Sequence, residues 1–193
     1  MIVLASASPR RAELLRNAGI PFVVRVAAIA EIRRPDEGAA AYVKRLAEEK
    51  ARAVQAAPGE IVLAADTTVH IGGRILEKPT GPEDALEMLT ALSGKSHEVL
   101  TGICLRRGGD FVVDCESTSV HFLPIPIDEL TAYAYSGEPL DKAGAYAIQG
   151  QASRFIDRIE GCYFNVVGLP VSLVWRRLHD WNLKMPIPSR ARQ

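Results

Sequence analysis

The chain has 193 residues, of which 48% are hydrophobic and 24% are charged, which is typical of one soluble globular domain with a sizeable core. Lysine and arginine together number 23, aspartate and glutamate also number 23, and the formal net charge is zero. This balance argues against nucleic acid as a partner, because domains that bind it usually carry a basic excess.

No apolar run approaches membrane-spanning length, so we expect no membrane partner. The first apolar run, residues 2–4, is too short for the core of a signal peptide. The three cysteines, Cys104, Cys115 and Cys162, suit neither a disulfide framework nor a thiolate metal site. Together these features predict a protein of the reducing cytoplasm.

The first apolar run is predicted to be a buried strand, and a helix follows over residues 9–18. Ser8 suits the N-cap and Pro9 suits the first helical position. Arg10 and Arg11 then fall in the first turn, where the helix dipole already presents positive charge. The pair indicates either an anion held at this helix end or a simple capped helix with two solvated arginines.

A second strand is predicted over residues 22–26, and a loop over residues 27–38 carries Glu31. A long helix follows over residues 39–56, with Lys50 among its apolar positions. Such a lysine either snorkels to water or delivers its ammonium group into a cleft, and the pattern leaves both open.

An uninterrupted apolar run at residues 61–65 predicts a strand that is covered on both faces and ends at Asp66, Thr67 and Thr68. The end of a buried strand is where α/β sheets place catalytic or metal-binding carboxylates. An aspartate that caps a turn gives the same pattern, so both interpretations stay open. A hairpin over residues 69–76 comes next.

The second half of the chain predicts further helices and a long antiparallel hairpin. These elements are a helix that ends at Gly94, a hairpin of residues 97–107 and 111–122, and helices over residues 127–136 and 170–181. Such a hairpin often extends a sheet or reaches a second subunit. Trp175 and Trp181, on the last helix, are expected in the core.

Other types of site find little support in the sequence. The four histidines share no ligand spacing, which argues against zinc. A Gly-x-Ser-x-Gly elbow is absent from the sequence, which argues against a serine hydrolase. The neighbouring residues Asp141 and Lys142 either orient a cleft through an ion pair or form a structural pair at the surface.

Six separated blocks of this sequence together resemble the Maf family of nucleotide pyrophosphatases, in their order and approximate spacing over nearly the whole chain. The blocks are residues 6–11, 46–51, 65–67, 78–79, 137–144 with 146–150, and 165–170. The long block between residues 137 and 150 is the most specific of them.

The resemblance implies an α/β fold related to the inosine triphosphate pyrophosphatases, with a mixed twisted sheet, flanking helices and two lobes around a central cleft. We expect one such domain over residues 1–183 and a frayed polar tail over residues 184–193. The implied reaction is hydrolysis of a nucleoside triphosphate to the monophosphate and pyrophosphate, with Mg²⁺ or Mn²⁺. A homodimer is expected from the same resemblance.

Three positions separate the substrate classes of that family, and the matching residues here are Arg10, Thr67 and Gln149. This trio is similar to the branch that acts on dTTP and UTP rather than the branch that acts on 7-methyl-GTP. Thr67 and Gln149 can each offer a donor and an acceptor, which matches a pyrimidine edge that bears a carbonyl and an N–H.

Several side chains of these blocks could hold or activate a triphosphate. They are Ser6, Ser8, Arg10, Arg11, Lys50 and Lys78. The arginines offer planar forks for phosphate oxygens, whereas the lysines offer compact point charges. The serine hydroxyls and the amides of the first helix would complete the cradle.

Asp66 is the candidate general base for the attacking water, with Glu31 helping to hold the metal. Because an aspartate of ordinary acidity is a weak base at neutral pH, direct metal ligation by Asp66 is the rival assignment. The family commonly has an acidic pair where this chain has Ala30 and Glu31. Glu77, just before Lys78, would repel phosphates unless its carboxylate points away.

Two classes of function follow from these residues. The first is a pyrophosphatase that removes surplus or non-standard pyrimidine nucleotides. The second is a nucleotide-binding regulator that acts on the division machinery through a protein partner, a role associated with the family's name. Four cationic groups and Asp66 exceed what binding alone requires, so the enzyme is the favoured hypothesis.

Overall fold

The structure is a computed structural model that describes residues 1–181. The tail predicted at residues 184–193 and the predicted domain end at residue 183 lie outside the described residues. Within the described range, no helix is long and apolar enough to cross a membrane.

The chain alternates between strands and helices over its first half and then forms a long antiparallel ribbon. The strands are β1 (Ile2–Leu4), β2 (Phe22–Val24), β3 (Ile61–Ile71), β4 (Arg74–Leu76), β5 (Ser96–Arg107), β6 (Asp110–Phe122) and β7 (Ile156–Glu160). The α-helices are α1 (Pro9–Asn17), α2 (Ala39–Ala53), α3 (Pro82–Leu92), α4 (Ile127–Ala134), α5 (Tyr163–Val167) and α6 (Val171–Asp180). Short 3₁₀ helices occupy Glu138–Asp141, Ala143–Ala145 and Gln151–Phe155.

The strands form one sheet in the order β2-β1-β3-β5-β6-β7, with β4 paired to β3. Strand β1 lies parallel to β2 and β3, whereas the other described pairs are antiparallel. The ribbon of β5 and β6 therefore extends the sheet, which is the first of the two roles expected for this hairpin. Helix α2 packs on β3 and β5. The predicted α/β class, with a mixed sheet and flanking helices, is confirmed.

On one face, strand β3 passes from one hydrophobic core into another, while Val62 and Ala64 on its other face pack with α2. Its first half, which includes Leu63, packs with α1 and α6. Its second half, which includes Val69, packs with α3 and α4. The polar residues Asp66, Thr67 and Thr68 lie between the two halves. The cores form the two expected lobes, and the cleft opens where these polar residues interrupt the apolar run.

The strand that was expected to end at Asp66, Thr67 and Thr68 continues to Ile71, so Asp66 lies in the interior of the strand and not at its end. Pairing with neighbours explains the difference. Strand β1 accompanies β3 only as far as Leu63, but β5 pairs with β3 from Val62 to His70. The antiparallel neighbour therefore keeps the chain extended past the carboxylate.

Several predicted elements are longer than the observed ones. Strand β2 ends at Val24, and helices α1, α2 and α4 end at Asn17, Ala53 and Ala134. After α2 the backbone turns extended at Val54, whose side chain is buried in the core under that helix. The sequence patterns do not predict β7 or α5, because each is five residues long and lacks a clear period.

The prediction that Trp175 lies in the core is wrong. Its side chain is 50% exposed and stacks on His179, with ring centres 5.3 Å apart. Leu173, Val174 and Leu178 fill the buried face of α6, and Trp175 lies one position beyond that face. Trp181 is half-buried and packs against the first core.

Gly102 allows α2 to pack directly on β5. A Cβ atom at this position would overlap the backbone carbonyl of Val43 and lie 2.7 Å from the amide nitrogen of Lys44. Because backbone atoms cannot move aside as a side-chain tip can, we expect Gly102→Ala to lower the free energy of unfolding by about 2–3 kcal/mol. Urea denaturation measures this loss. Gly109→Ala, in a turn where an added Cβ has no neighbour within 4 Å, is the matched control, and equal losses in both variants would contradict the explanation.

His97 is buried in the second core with an aromatic neighbourhood. Its Nε2 lies 2.8 Å from the Tyr146 hydroxyl, and its ring meets the Phe122 and Tyr146 rings edge to face. Burial, aided by the charge of His121, lowers the pKa of His97 from 6.5 to about 4. The folded protein therefore holds this imidazole neutral in a range where the unfolded chain would protonate it.

A lowered histidine pKa makes the fold sensitive to acid. Above pH 6.5 the contribution of neutral His97 to the free energy of unfolding is complete. As the pH falls toward 4, the unfolded chain is protonated first, and roughly 3 kcal/mol of this free energy is lost. Urea titrations between pH 4 and pH 8 measure it. In the His97→Gln variant this component is absent, so its stability should decline less over that range. Parallel curves for both proteins would contradict the assignment.

Candidate active site

All ten side chains singled out in the sequence line one cleft of about 650 Å³ between the lobes. They are Ser6, Ser8, Arg10, Arg11, Glu31, Lys50, Asp66, Thr67, Lys78 and Gln149. They come from the β1–α1 turn, the loop before α2, α2 itself, β3, the segment after β4, and the segment before the last 3₁₀ helix. A cleft of this volume is in the range of small-molecule sites.

Lys50 lies at the centre of the cleft floor between two carboxylates. Its Nζ lies 2.6 Å from Asp66 Oδ1 and 2.8 Å from Glu31 Oε1. The side chains of Lys50 and Asp66 are 14% and 9% exposed, whereas Glu31 is 45% exposed. Of the two alternatives for Lys50, the structure selects the one in which the ammonium group enters the cleft.

The two carboxylates fit a shared cation. Burial alone would raise the pKa of Glu31, but the hydrogen bond and charge of Lys50, with Lys78 and Arg11 nearby, hold it below its usual range. Residues 1–181 contain no group of three or more His, Cys, Asp or Glu that could hold a metal ion by itself. Mg²⁺ commonly takes one or two carboxylates and completes its shell with waters and substrate phosphates. The donor set of Glu31 and Asp66 is consistent with that pattern.

The Arg11 guanidinium is turned toward the protein. Nε donates to Gly168 O at 2.8 Å, and Nη1 donates to Ala65 O at 2.9 Å and to Ser6 Oγ at 3.2 Å. Nη2 donates to Thr67 Oγ1 at 3.1 Å. Four of the five N–H groups are therefore used, which differs from the expected open fork for phosphate oxygens. Arg11 holds three segments of the site together, and within residues 1–181 no carboxylate accepts a hydrogen bond from its guanidinium.

The start of α1 is arranged as the sequence suggested, with one difference. Ser8 is the N-cap residue with an extended backbone and Pro9 is at the first helical position, but the Ser8 side chain caps no helix amide. Instead, the Ser8 amide donates to Ser6 Oγ at 3.2 Å. The Ser8 hydroxyl and the first amides of α1 are thus left to bind a ligand, in a turn that contains no acidic residue.

Arg10 lies at the mouth of the cleft, 3.4 Å from Asp141, which also pairs with Lys142. Lys142 donates to the backbone oxygen of Glu138 at 2.6 Å. The Asp141–Lys142 pair therefore has a structural role and also borders the cleft, so both alternatives raised for it apply. Because the Arg10–Asp141 pair is largely solvated, it is weak enough for a phosphate to displace.

Lys78 and Gln149 are exposed residues of the cleft wall, and Thr67 is partly buried on β3. Thr67 Oγ1 lies 2.9 Å from Thr101 Oγ1 on the neighbouring strand. The three positions that separate substrate classes are Arg10, Thr67 and Gln149. They therefore line the same cleft, although they come from distant parts of the sequence.

Sequence reasoning missed Tyr42 as a residue of the site. Tyr42 is buried, and its hydroxyl donates to Glu77, so that burial and this carboxylate raise the pKa of the phenol. Glu77 itself lines the cleft, and its carboxylate is held there by this protein donor. A usable pattern was present, because residues 42, 46 and 50 recur every four positions and so share one face of α2.

The chain is similar to known proteins over most of its length. Residues 1–181 match the family described as Maf-like protein. The chain is 48% identical over 178 residues to a dTTP/UTP pyrophosphatase of Koribacter versatilis, a match that covers 92% of each chain. It is 53% identical over 176 residues to a dTTP/UTP pyrophosphatase of Anaeromyxobacter sp. (strain Fw109-5), covering 89% of this chain and 84% of that one.

A solved structure has the same fold. The Ham1 protein of Staphylococcus aureus superposes with a TM-score of 0.54 at 14% identity, covering 93% of this chain and 98% of the other. This likeness concerns the fold alone. With the family match over residues 1–181 and relatives near 50% identity, the chain belongs to the Maf family.

Proposed function

We propose that this protein hydrolyses dTTP and UTP to the monophosphate and pyrophosphate. The observation that carries the proposal is the Glu31–Lys50–Asp66 cluster, a carboxylate–ammonium–carboxylate group in a cleft that also contains Arg10 and Lys78. The relatives named as dTTP/UTP pyrophosphatases support the choice of substrate.

The phosphate chain binds across the start of α1. The free amides of its first turn, the Ser8 hydroxyl and the Arg10 guanidinium bind the oxygens on one side, and Lys78 approaches from the segment after β4. Arg11 holds this turn against β3 and adds positive charge without contacting an anion of the protein. Catalysis is then chiefly positioning and charge stabilisation.

Asp66 drives the attack of water. The water oxygen forms a bond to the α-phosphorus, its proton passes to an acceptor oxygen, and the bond from the α-phosphorus to the bridging oxygen breaks so that pyrophosphate leaves. As general base, Asp66 takes that proton, while Lys50, 2.6 Å away, orients the carboxylate and balances its charge. As metal ligand, Asp66 would instead hold a divalent cation together with Glu31.

We also propose a divalent cation, Mg²⁺ or Mn²⁺, held by Glu31 and Asp66 together with phosphate oxygens. Such a cation would neutralise phosphate charge and would lower the pKa of a coordinated water. Since Lys50 lies between the same carboxylates, the ammonium group would have to move or share them when a cation binds. The chain's own residues remain responsible for binding and orienting the substrate.

A panel of nucleotides tests the proposal. Pyrophosphate release is measured for UTP, dTTP, CTP, GTP, ATP and 7-methyl-GTP, each with and without Mg²⁺ or Mn²⁺. We expect UTP and dTTP to turn over much faster than the purine nucleotides. No release from any of them would overturn the enzyme proposal and would favour the predicted alternative, a nucleotide-binding regulator of division.

The cytoplasmic location, the homodimer and the division partner stay predictions. The three cysteines are free in the structure, which is consistent with a reducing compartment. Sedimentation of the purified chain tests the dimer.

A further inference from the structure

The hydroxyl of Thr67 belongs to a chain of hydrogen bonds whose direction can be read from the chemistry of its members. Thr101 Oγ1 lies 3.0 Å from the backbone oxygen of Asn165, and a carbonyl oxygen only accepts. Thr101 has a single hydroxyl proton, which is used in this bond. In the 2.9 Å contact between Thr67 and Thr101, the proton therefore comes from Thr67.

The rival direction is disfavoured by distance. If Thr101 donated to Thr67, the 3.0 Å bond from Thr101 to the backbone oxygen of Asn165 would be lost, and among the described residues the acceptor left for the Thr67 proton would be the backbone oxygen of Gly168, 3.5 Å away. Hydroxyl hydrogen bonds to oxygen have typical lengths of about 2.5–3.0 Å. The 3.0 Å bond to Asn165 is within that range and the 3.5 Å contact is outside it.

The acceptor at the end of this hydrogen-bond chain, the backbone oxygen of Asn165, is held in a fixed position. Asn165 and Thr101 are fully buried. The Asn165 side-chain nitrogen donates to Val99 O and to Thr118 Oγ1, both at 2.9 Å. These bonds fix the position of the Asn165 backbone, and hence the acceptor that takes the Thr101 proton.

Thr67 also receives a hydrogen bond from Arg11 Nη2 at 3.1 Å. Its proton is thus donated to Thr101 and one of its two lone pairs is filled. What remains for a ligand in the cleft is a single lone pair. The sequence permits Thr67 to act as donor or acceptor, but the fold leaves it only as an acceptor.

Resting on the proposed function, we propose that Thr101 is a positioning residue that makes Thr67 an obligate acceptor for the N3–H of uracil or thymine. Cytosine carries an acceptor at the same ring position, so two lone pairs would face each other. The hydrogen-bond chain thus selects 4-keto pyrimidines over the 4-amino pyrimidine, which has nearly the same size and shape.

The test compares UTP with CTP in wild-type protein and in two variants at one position. Thr101→Val keeps the volume but removes the acceptor, which frees the Thr67 hydroxyl to rotate and donate. We expect the ratio of kcat/KM for UTP to that for CTP to fall about tenfold. Thr101→Ser keeps the oxygen and should restore most of the ratio. A purely structural role for Thr101 would lower both rates together and leave their ratio unchanged, and that result overturns the proposal.

A second measurement needs no variant and so does not depend on the folding of one. Wild-type protein is given UTP and its N3-methyl derivative, which lacks the N3 proton. We expect at least a tenfold loss of kcat/KM for the methylated nucleotide, and equal turnover of the two would overturn the proposal. Failure of wild-type protein to cleave UTP at all would instead count against the proposed function, so the two failures are distinguishable.

Discussion

Replacing Asp66 with asparagine is expected to lower kcat for UTP by about a thousandfold without unfolding the protein. Asparagine keeps the volume of the side chain, but it loses the negative charge that pairs with Lys50 at 2.6 Å. It can neither take the proton of the attacking water nor bind a cation well. Pyrophosphate release at saturating UTP measures the loss, and a thermal melt checks the fold.

Asp114→Asn is the matched control for that experiment. Asp114 accepts hydrogen bonds from Arg177 at 2.6 and 2.8 Å, but it does not line the cleft. The control therefore removes a paired carboxylate of the same kind at a site remote from the substrate, and we expect turnover close to that of the wild type. Near-normal turnover of Asp66→Asn would contradict both roles assigned to Asp66.

A titration with Mn²⁺ separates those two roles. If Asp66 is a metal ligand, Asp66→Asn should bind Mn²⁺ in the presence of nucleotide more weakly than the wild type, because one of the two carboxylates is gone. If Asp66 is the general base alone, Mn²⁺ binding should change little while turnover is still lost. Glu31→Gln should weaken Mn²⁺ binding in either case.

Replacing Lys50 with methionine is expected to lower kcat/KM for UTP by about a hundredfold. The ammonium group is the cation that Asp66 and Glu31 share, and methionine fills similar space without charge. Loss of Lys50 leaves two carboxylates that repel each other and repel the incoming triphosphate. The pKa of Glu31, which Lys50 helps to lower, should rise in the variant.

Lys44→Met is the control for this change, since it removes the same charge from an exposed position on the same helix. Steady-state kinetics and urea denaturation of both variants separate a catalytic effect from a loss of stability. Equal kinetic losses in the two variants would mean that the general charge of α2, and not the position of Lys50, is responsible. A wild-type rate in Lys50→Met would contradict the proposed arrangement of the cleft.

Much of this fold could be predicted from local patterns. The first strand and α1 follow from an apolar run, a serine and proline at the helix start, and inward leucines at helical spacing. The long hairpin of β5 and β6 follows from two strand-like runs joined by glycines. In each case the determining contacts lie within a few residues of one another, so the sequence alone contains the necessary information.

The wrong predictions for Asp66 and Arg11 concern contacts between distant residues. Asp66 lies inside β3 because β5 pairs alongside it, with Gly102 opposite Asp66. Arg11 lines the cleft but offers no open fork to a phosphate, because its guanidinium donates to the oxygens of Ala65 and Gly168. Trp175 is exposed because its neighbours on α6 fill the core first. The partners of Asp66 and Arg11 are far away in sequence, so no local pattern could indicate them, whereas the exposure of Trp175 follows from its place beside the buried face of its own helix.

By itself, the sequence indicated ten side chains that line the cleft, though not Tyr42, because charge, hydroxyl and amide groups are properties of the residue types and their motifs. The tertiary structure alone decided what each group can still do. Lys50 enters the cleft because α2 packs on β5 at Gly102, and Thr67 is left as an acceptor because Thr101 and Arg11 use its proton and one lone pair. Hydrogen-bonding capacity depends on the partners that the fold supplies, and those partners lie far apart along the chain.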